Sequence, residues 1–337
     1  MNMRRILVLT AGLSVLLTAC PNETKPTSDP TITALKASAN PTTLNSASPS
    51  SDAQEEVPAS GSILYGVLPN GELKWFGHIA ALYGGFIGPN LWASNSNKTI
   101  GIGWNGFKQI FSGGEGVIYG VMPSGELKWY RNTGYRTGGG YNDAGGWDPK
   151  SGKTIGIGWN GFKQIFSTKQ GVIYGVQPNG ELKWYRNTGY LTGAGYNDAG
   201  GWDPKSGKTI GIGWSEFDQL FSGGNGVIYG VQANGDLKWY RNTGYLTGAG
   251  YNDAGGWDTR SGKTIGIGWG ALKLLMATSG GVIYGVLPNG ILNGELKWYR
   301  HTGYITGAGY NDPGGWDTRS GKTVGFNGNR FQDQFGF

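Results

Sequence analysis

The chain has 337 residues, 65 of them glycine, with 28 Lys and Arg against 22 Asp and Glu and a single cysteine. Glycine at that frequency, with Tyr, Trp, Ile and Val filling the intervals, penalises helix and favours short strands joined by tight turns. One cysteine excludes an intramolecular disulfide. The net charge of +6 comes from bases interleaved with acids rather than gathered on one face, which argues against a nucleic-acid partner.

The first segment reads as a targeting signal. Arg4 and Arg5 form a basic start, Ile6 to Leu17 an apolar run too short to span a bilayer, and small residues follow. Leu17-Thr18-Ala19-Cys20 resembles the lipobox of bacterial lipoprotein signal peptides. That resemblance implies removal of residues 1–19, acylation of Cys20 and a membrane partner reached through the lipid anchor. An ordinary secretory peptide with an incidental cysteine is the plainer alternative. Pro21 stands where an Asp is absent, which resembles lipoproteins released to an outer membrane. The expected location is therefore the bacterial cell envelope, exported and lipid-anchored at the outer membrane or cell surface. Residues 20–60 are rich in Pro, Thr, Ser, Asn and Ala and lack aromatic side chains, the composition of a disordered tether. As a flexible coil it would span roughly 35 Å.

From residue 61 to 337 the chain is a fivefold repeat. Tyr65, Tyr119, Tyr174, Tyr229 and Tyr284 mark successive Tyr-Gly-Val cores at spacings of 54, 55, 55 and 55 residues. All 14 tryptophans keep this register: five follow Leu-Lys, five sit at the Gly-Gly-Trp position of the long loop (Trp92, Trp147, Trp202, Trp257, Trp316), and four close a Gly-Ile-Gly-Trp run.

Within one copy four strand-like runs alternate with turn signals. Gly116 to Met122 and Glu126 to Arg131 form a hairpin, with Leu127 and Trp129 on one face and Lys128 and Tyr130 on the other. A loop rich in polar residues and glycine, 132–152, separates it from Lys153 to Trp159. There Ile155, Ile157 and Trp159 are expected to share a face, while Gly156 and Gly158 leave the other smooth for a neighbouring backbone. Phe162 to Phe166 is the fourth run. Four antiparallel strands per roughly 55 residues indicate a propeller blade. The first copy has no Phe-x-x-x-Phe run ahead of it, and Phe331 to Phe335 is left over at the far end. The expectation is an all-β, five-bladed β-propeller closed by its C-terminal strand, which removes open sheet edges.

Five copies, the Phe-x-x-x-Phe and Tyr-Gly-Val pairing, a loop bearing Asn, Asp and Trp, and this starting phase resemble the tachylectin family of five-bladed propeller lectins. The resemblance covers about residues 61–337. It implies glycan partners containing N-acetylglucosamine or N-acetylgalactosamine, bound once per blade in the loop region between neighbouring blades. The family's loop residues match Asn142, Asp143 and Trp147, with Asn197, Asp198 and Trp202, Asn252, Asp253 and Trp257, and Asn311, Asp312 and Trp316. Arg131, Arg186, Arg241 and Arg300, at the strand ends before these loops, are expected to add a charge-assisted bond.

The residue types support this independently: a sugar needs an aromatic plane and a few fixed donors and acceptors. A structural alternative stands beside it, in which Asn-Asp forms a plain Asx turn and Trp147 plugs adjacent blades. The first copy, with Ile87, Gly88, Ala93 and Gly77 at the corresponding places, is expected to be degenerate, leaving four sites. Copy five carries an insertion, Gly290 to Asn293, and Gly328 in the tryptophan slot.

No enzyme is expected. His78 and His301 read as lying in different copies at non-equivalent positions, and Asp143 with Asp148 would place one glycosidase pair in four copies, where an active centre is normally single. No cofactor or metal is expected; the carboxylate spacing does not fit a calcium loop. The protein is expected to be a monomer. A different class of function remains open, a non-catalytic scaffold for protein contacts at the cell envelope.

Overall fold

A computed structural model describes residues 56–59, 61–84, 91–288, 294–325 and 327–336. The expected signal peptide, Cys20, nearly all of the tether, Ile87, Gly88 and the Gly290 to Asn293 insertion lie outside the described residues.

Five four-stranded antiparallel sheets make up the protein, one per blade of a five-bladed β-propeller. The second blade shows the pattern. Its innermost strand is Gln109–Gly114, followed outward by Val117–Val121, Leu127–Arg131 and Lys153–Gly156. The innermost strand comes from the end of one sequence copy and the other three from the next copy, so each blade straddles two repeats. In the first blade Ser62–Val67 has no such predecessor. Asp333–Gly336 pairs with it antiparallel, placing Tyr65 opposite Phe335 and closing the ring. The innermost strands face a central channel of about 250 Å³.

Alternation along the hairpin decides what is buried. Leu127 and Trp129 are fully buried while Lys128 and Tyr130 are partly exposed. Trp129 does more than fill its own blade: its Nε1–H donates to Tyr190 O of the next blade at 2.6 Å. Trp184 and Trp239 repeat the bond to Tyr245 O and Tyr304 O, both at 2.7 Å. A buried indole thereby brings its only polar group to a partner, which removes the cost of burying it unpaired.

Three expectations are corrected. Ile157 does not share a face with Ile155 and Trp159: the strand ends at Gly156, the chain turns through Gly158 at φ 79°, and Ile157 is left 66% exposed. Gly156 is smooth for a different reason from the one expected. A Cβ there would collide with Nε1 of Trp159, which folds back over it, and it is Gly195, in the next blade's loop, that meets backbone, its Cβ falling 2.5 Å from Ile155 Cα. Finally, His78 and His301 are equivalent. Each follows its buried tryptophan by three residues, and each shares a hydrogen bond with a tyrosine hydroxyl of a neighbouring blade, His78 with Tyr284 and His301 with Tyr229.

The chain reaches the propeller at Glu56. Val57 is fully buried, and its N–H donates to Arg136 O at 2.9 Å while Arg136 returns a bond to Val57 O at 3.1 Å.

Candidate functional site

The long loop of the second copy folds on itself and then docks on the first blade. Asn132, buried at the strand end, donates through Nδ2 to Gly139 O and Gly146 O at 2.6 and 2.7 Å, and Thr133 bonds to Gly145 O. These bonds draw both limbs of the loop together. Across the junction, Tyr141 N–H donates to Ile100 O at 3.0 Å and Trp147 Nε1–H to the same carbonyl at 2.8 Å. The Trp147 ring lies 5.7 Å from that of Trp104, and Tyr130 and Phe107 complete an aromatic cluster. Trp147 is thus an interblade plug, as the structural alternative held.

Asp143 is the next anchor. Its Oδ2 accepts both the Gly140 N–H at 2.7 Å and Nζ of Lys98 at 2.8 Å, the lysine belonging to the outer strand of the preceding blade. The lysine first, then the backbone donor, hold its carboxyl below the usual range. Asp198 with Lys153, Asp253 with Lys208 and Asp312 with Lys263 repeat the pair at 2.7, 2.7 and 2.5 Å. Both bonds fall on one oxygen, and Oδ1 of each aspartate is left as an acceptor with no hydrogen bond among the described residues.

Between the plug and this anchor the loop displays its remaining side chains. Tyr141, Tyr196, Tyr251 and Tyr310 are exposed by 49, 49, 48 and 38%. Asn142, Asn197, Asn252 and Asn311 beside them are exposed and make no side-chain hydrogen bond within the described residues. Each junction therefore presents a phenol ring, a free carboxamide and an open carboxylate oxygen on a loop whose backbone is fixed from both sides.

The arginines serve different loops from the ones they precede in sequence. Arg131 Nη1 donates at 3.0 Å to Leu191 O of the following blade's loop, the loop that carries Asn197, Asp198 and Trp202. Arg186 and Arg241 do the same toward Leu246 O and Ile305 O at 2.9 and 3.3 Å, and Arg300 reaches Leu82 O of the first copy at 2.7 Å. At the junction of the first and second blades Gly77 replaces the arginine, and the N–H of Val57 donates to the equivalent carbonyl, Arg136 O. Each of these partly exposed arginine side chains thus bonds a main-chain carbonyl across a blade junction.

The second aspartate of each block turns inward on its own turn. Asp148 Oδ1 accepts the Lys150 N–H at 2.8 Å, and Asp258 forms a two-point pair with Arg260 at 2.9 and 2.7 Å that lowers its carboxyl to about 2. A glycosidase pair needs one carboxyl held protonated. At Asp143 the shift is downward, the opposite of that requirement. Among the described residues no three His, Cys, Asp or Glu side chains gather as a metal site.

Sequence reasoning passed over two elements of the site. The exposed tyrosines stand in the repeated Tyr-Asn-Asp block and the lysines in the repeated Lys-Thr-Ile-Gly strand, but only the docking of one blade on the next brings each lysine to its aspartate.

The Tachylectin family model matches three overlapping stretches, residues 55–196, 87–249 and 187–333. The chain belongs to the Tachylectin family. Lectin-like carbohydrate binding, in general terms, comes with that membership. Among solved structures, a symmetrical protein whose de novo evolutionary emergence is shaped by folding constraints aligns at TM-score 0.50 and 21% identity, over 81% of this Tachylectin-family chain and 97% of that one. Yeast RCC1 (Prp20) bound to Kap60 aligns at TM-score 0.34 and 14% identity, over 78% and 59% of the two chains. Human WBSCR16 aligns at TM-score 0.31 and 11% identity, over 80% and 67%. No curated protein matches the chain.

Proposed function

We propose that the protein is a lipid-anchored, non-catalytic, multivalent lectin of the cell envelope that binds glycans containing N-acetylglucosamine or N-acetylgalactosamine at four loop junctions. One observation carries the reading. The same exposed Tyr-Asn pair, flanked by an aspartate with one open oxygen, recurs at four junctions on loops pinned by interblade bonds. The tyrosine ring offers a face to sugar C–H groups, the carboxamide of Asn142 suits an acetamide or hydroxyl, and Oδ1 of Asp143 accepts a hydroxyl proton. Sites on one rigid ring, weak singly, gain on the order of 10²-fold from simultaneous engagement on a matching surface.

Titration calorimetry of the purified protein with N-acetylglucosamine and with N-acetylgalactosamine tests the proposal. Heat is expected with at least one sugar, and it should vanish in the Asn142→Ala, Asn197→Ala, Asn252→Ala, Asn311→Ala variant while the melting temperature stays within a degree or so. Binding that survives all four changes, or no heat with either sugar, would remove the reading.

A second reading has its own support. Ile102, Ile157, Ile212 and Ile267 are exposed by 66, 66, 65 and 41%, one in each of four blades on the turn after the outer strand. A repeated apolar surface of this kind suits a protein partner. A partner retained on the immobilised protein in excess sugar, and released by changing these isoleucines to serine, would favour the scaffold.

The anchor is proposed on sequence grounds. Replacing Cys20 with alanine should abolish incorporation of labelled fatty acid and release the protein from membranes.

A further inference from the structure

At four blade junctions an indole fills one and the same space. Trp104 sits 5.6 Å from Phe107, 4.8 Å from Tyr130 and 5.7 Å from Trp147 by ring centroids; Trp159 and Trp214 repeat the arrangement, and Trp269 repeats it with Leu272 in place of the phenylalanine. At the fifth junction, where the ring closes, Gly328 stands in the tryptophan's place. The three walls remain. Phe331, Phe76 and Trp92 occupy the positions of Phe107, Tyr130 and Trp147, and they pack edge to face at 5.8 and 6.2 Å. Trp92 keeps its bond across the junction, Nε1 to Val324 O at 3.1 Å. The walls have not collapsed inward, and a cavity of about 270 Å³ lies between them, floored by Leu296 and Met276.

The local glycine records the missing ring. At Gly156 a Cβ would strike the indole of Trp159, whereas at the equivalent Gly325 it would meet only Leu296, at an ordinary 3.5 Å. Arg330 lies across the mouth, its guanidinium 4.7 Å from the Phe331 ring centroid and bonded to Asn97 Oδ1 at 2.7 Å. Asn97 belongs to the first blade and Arg330 to the segment entering the closing strand, so the bond spans the same junction as the cavity.

We propose that this junction is a binding pocket for one small planar aromatic molecule of indole size, distinct from the four loop sites. The occupant follows from the protein itself: the same three aromatic walls enclose an indole at three other junctions, and at the fourth Leu272 replaces the phenylalanine beside Trp269. An apolar cavity of this kind stays dry and gains from accepting an apolar guest. Arg330 and Asn97 form a polar rim that such a ligand passes.

Calorimetry with indole on the full-length protein tests the proposal, with a soak of crystals in 5-bromoindole to locate the ring. One indole per chain is expected, with a bromine peak among Phe76, Trp92 and Phe331. Gly325→Phe, whose Cβ is admitted without collision and points into the cavity, should raise the melting temperature and lose indole binding while sugar titration is unchanged. Trp214→Gly, opening the same space at another junction, should raise the stoichiometry to two. Absence of indole binding, binding unaltered by Gly325→Phe, or a bromine peak elsewhere on the protein would overturn the proposal. Should Gly325→Phe fail to fold, the bromine position decides alone.

Discussion

The Tyr284 hydroxyl lies 2.6 Å from Nδ1 of His78, a residue 206 positions earlier in the chain. The bond joins the fifth blade to the first. Tyr229 makes the same contact with His301 at 2.8 Å, and at other junctions Tyr119 and Tyr174 donate to Oδ1 of Asn187 and Asn242 at 3.4 and 3.3 Å. In His301 Nε2–H donates to Ala308 O, which leaves Nδ1 as the acceptor for the tyrosine. The His301 imidazole therefore reproduces the Asn side chain, donor to the loop and acceptor from the blade behind, provided that it stays neutral.

Burial lowers both histidines to about 4. The unfolded chain binds the proton at its ordinary pKa near 6.5, so stability is complete above that value and is lost as pH falls toward 4. Each histidine should cost on the order of 3 kcal/mol at the acid end. His78→Asn with His301→Asn restores the residue of the other copies and should flatten this slope. Melting curves between pH 7 and pH 4 check it: the wild-type protein should lose more of its melting temperature than the double variant.

Asp333 carries the opposite slope. It stands on the closing strand where Gln109 and Gln164 stand in other blades, and loss of hydration raises its carboxyl to about 7 in spite of backbone N–H groups at Ile110 and Gln334. A raised carboxyl pKa penalises the fold as pH climbs from about 4 to about 7, because the folded state holds its proton longer. Asp333→Asn should stabilise the ring most above pH 7 and have little effect near pH 4. A gain that is constant over this range would show that the carboxyl's charge is not the cause.

Much of this architecture was legible beforehand because the repeat supplied five readings of one pattern. Tyr-Gly-Val and Leu-Lys-Trp fixed the hairpin, and the unmatched Phe331 to Phe335 run foretold the closing strand. What the sequence hid lies between blades. Arg131 sits before its own loop in the chain but bonds to the next one, Asp143 meets a lysine 45 residues away, and the equivalence of His78 with Asn132 shows only when the tryptophans are used as the origin. Ile157 was misassigned because a period of two was carried past Gly156, where the backbone leaves the strand. Side chains committed to neighbours in space have no signature in local periodicity.

Val57 and Gly77 should be coupled. An arginine at position 77 would clash with Val57 in the full chain, since even its Cβ collides with Val57 Cγ2, and that Cβ also lies 2.7 Å from the Trp75 ring. In a chain beginning at residue 60 the first obstacle is gone and Arg136 O has lost its donor. Gly77→Arg should therefore lower the melting temperature of the full-length protein more than that of the shortened one. Equal shifts in both would mean that Val57 does not stand in for the arginine.

Trp202 and Asn197 separate the loop's two duties. Trp202 donates to Ile155 O at 2.8 Å and packs 5.7 Å from Trp159, so Trp202→Ala removes a large packed side chain and one of the two donors to that carbonyl, the Tyr196 N–H remaining. A destabilisation of about 3–5 kcal/mol is expected by chemical denaturation. Asn197 is exposed and makes no side-chain hydrogen bond among the described residues, and Asn197→Ala should leave the denaturation curve in place while removing one of the four proposed sugar sites. Stoichiometry from calorimetry, falling from four to three in Asn197→Ala without loss of stability, distinguishes recognition from blade building. If Asn197→Ala instead destabilises the fold as much as Trp202→Ala does, the loop has one duty, and it is structural.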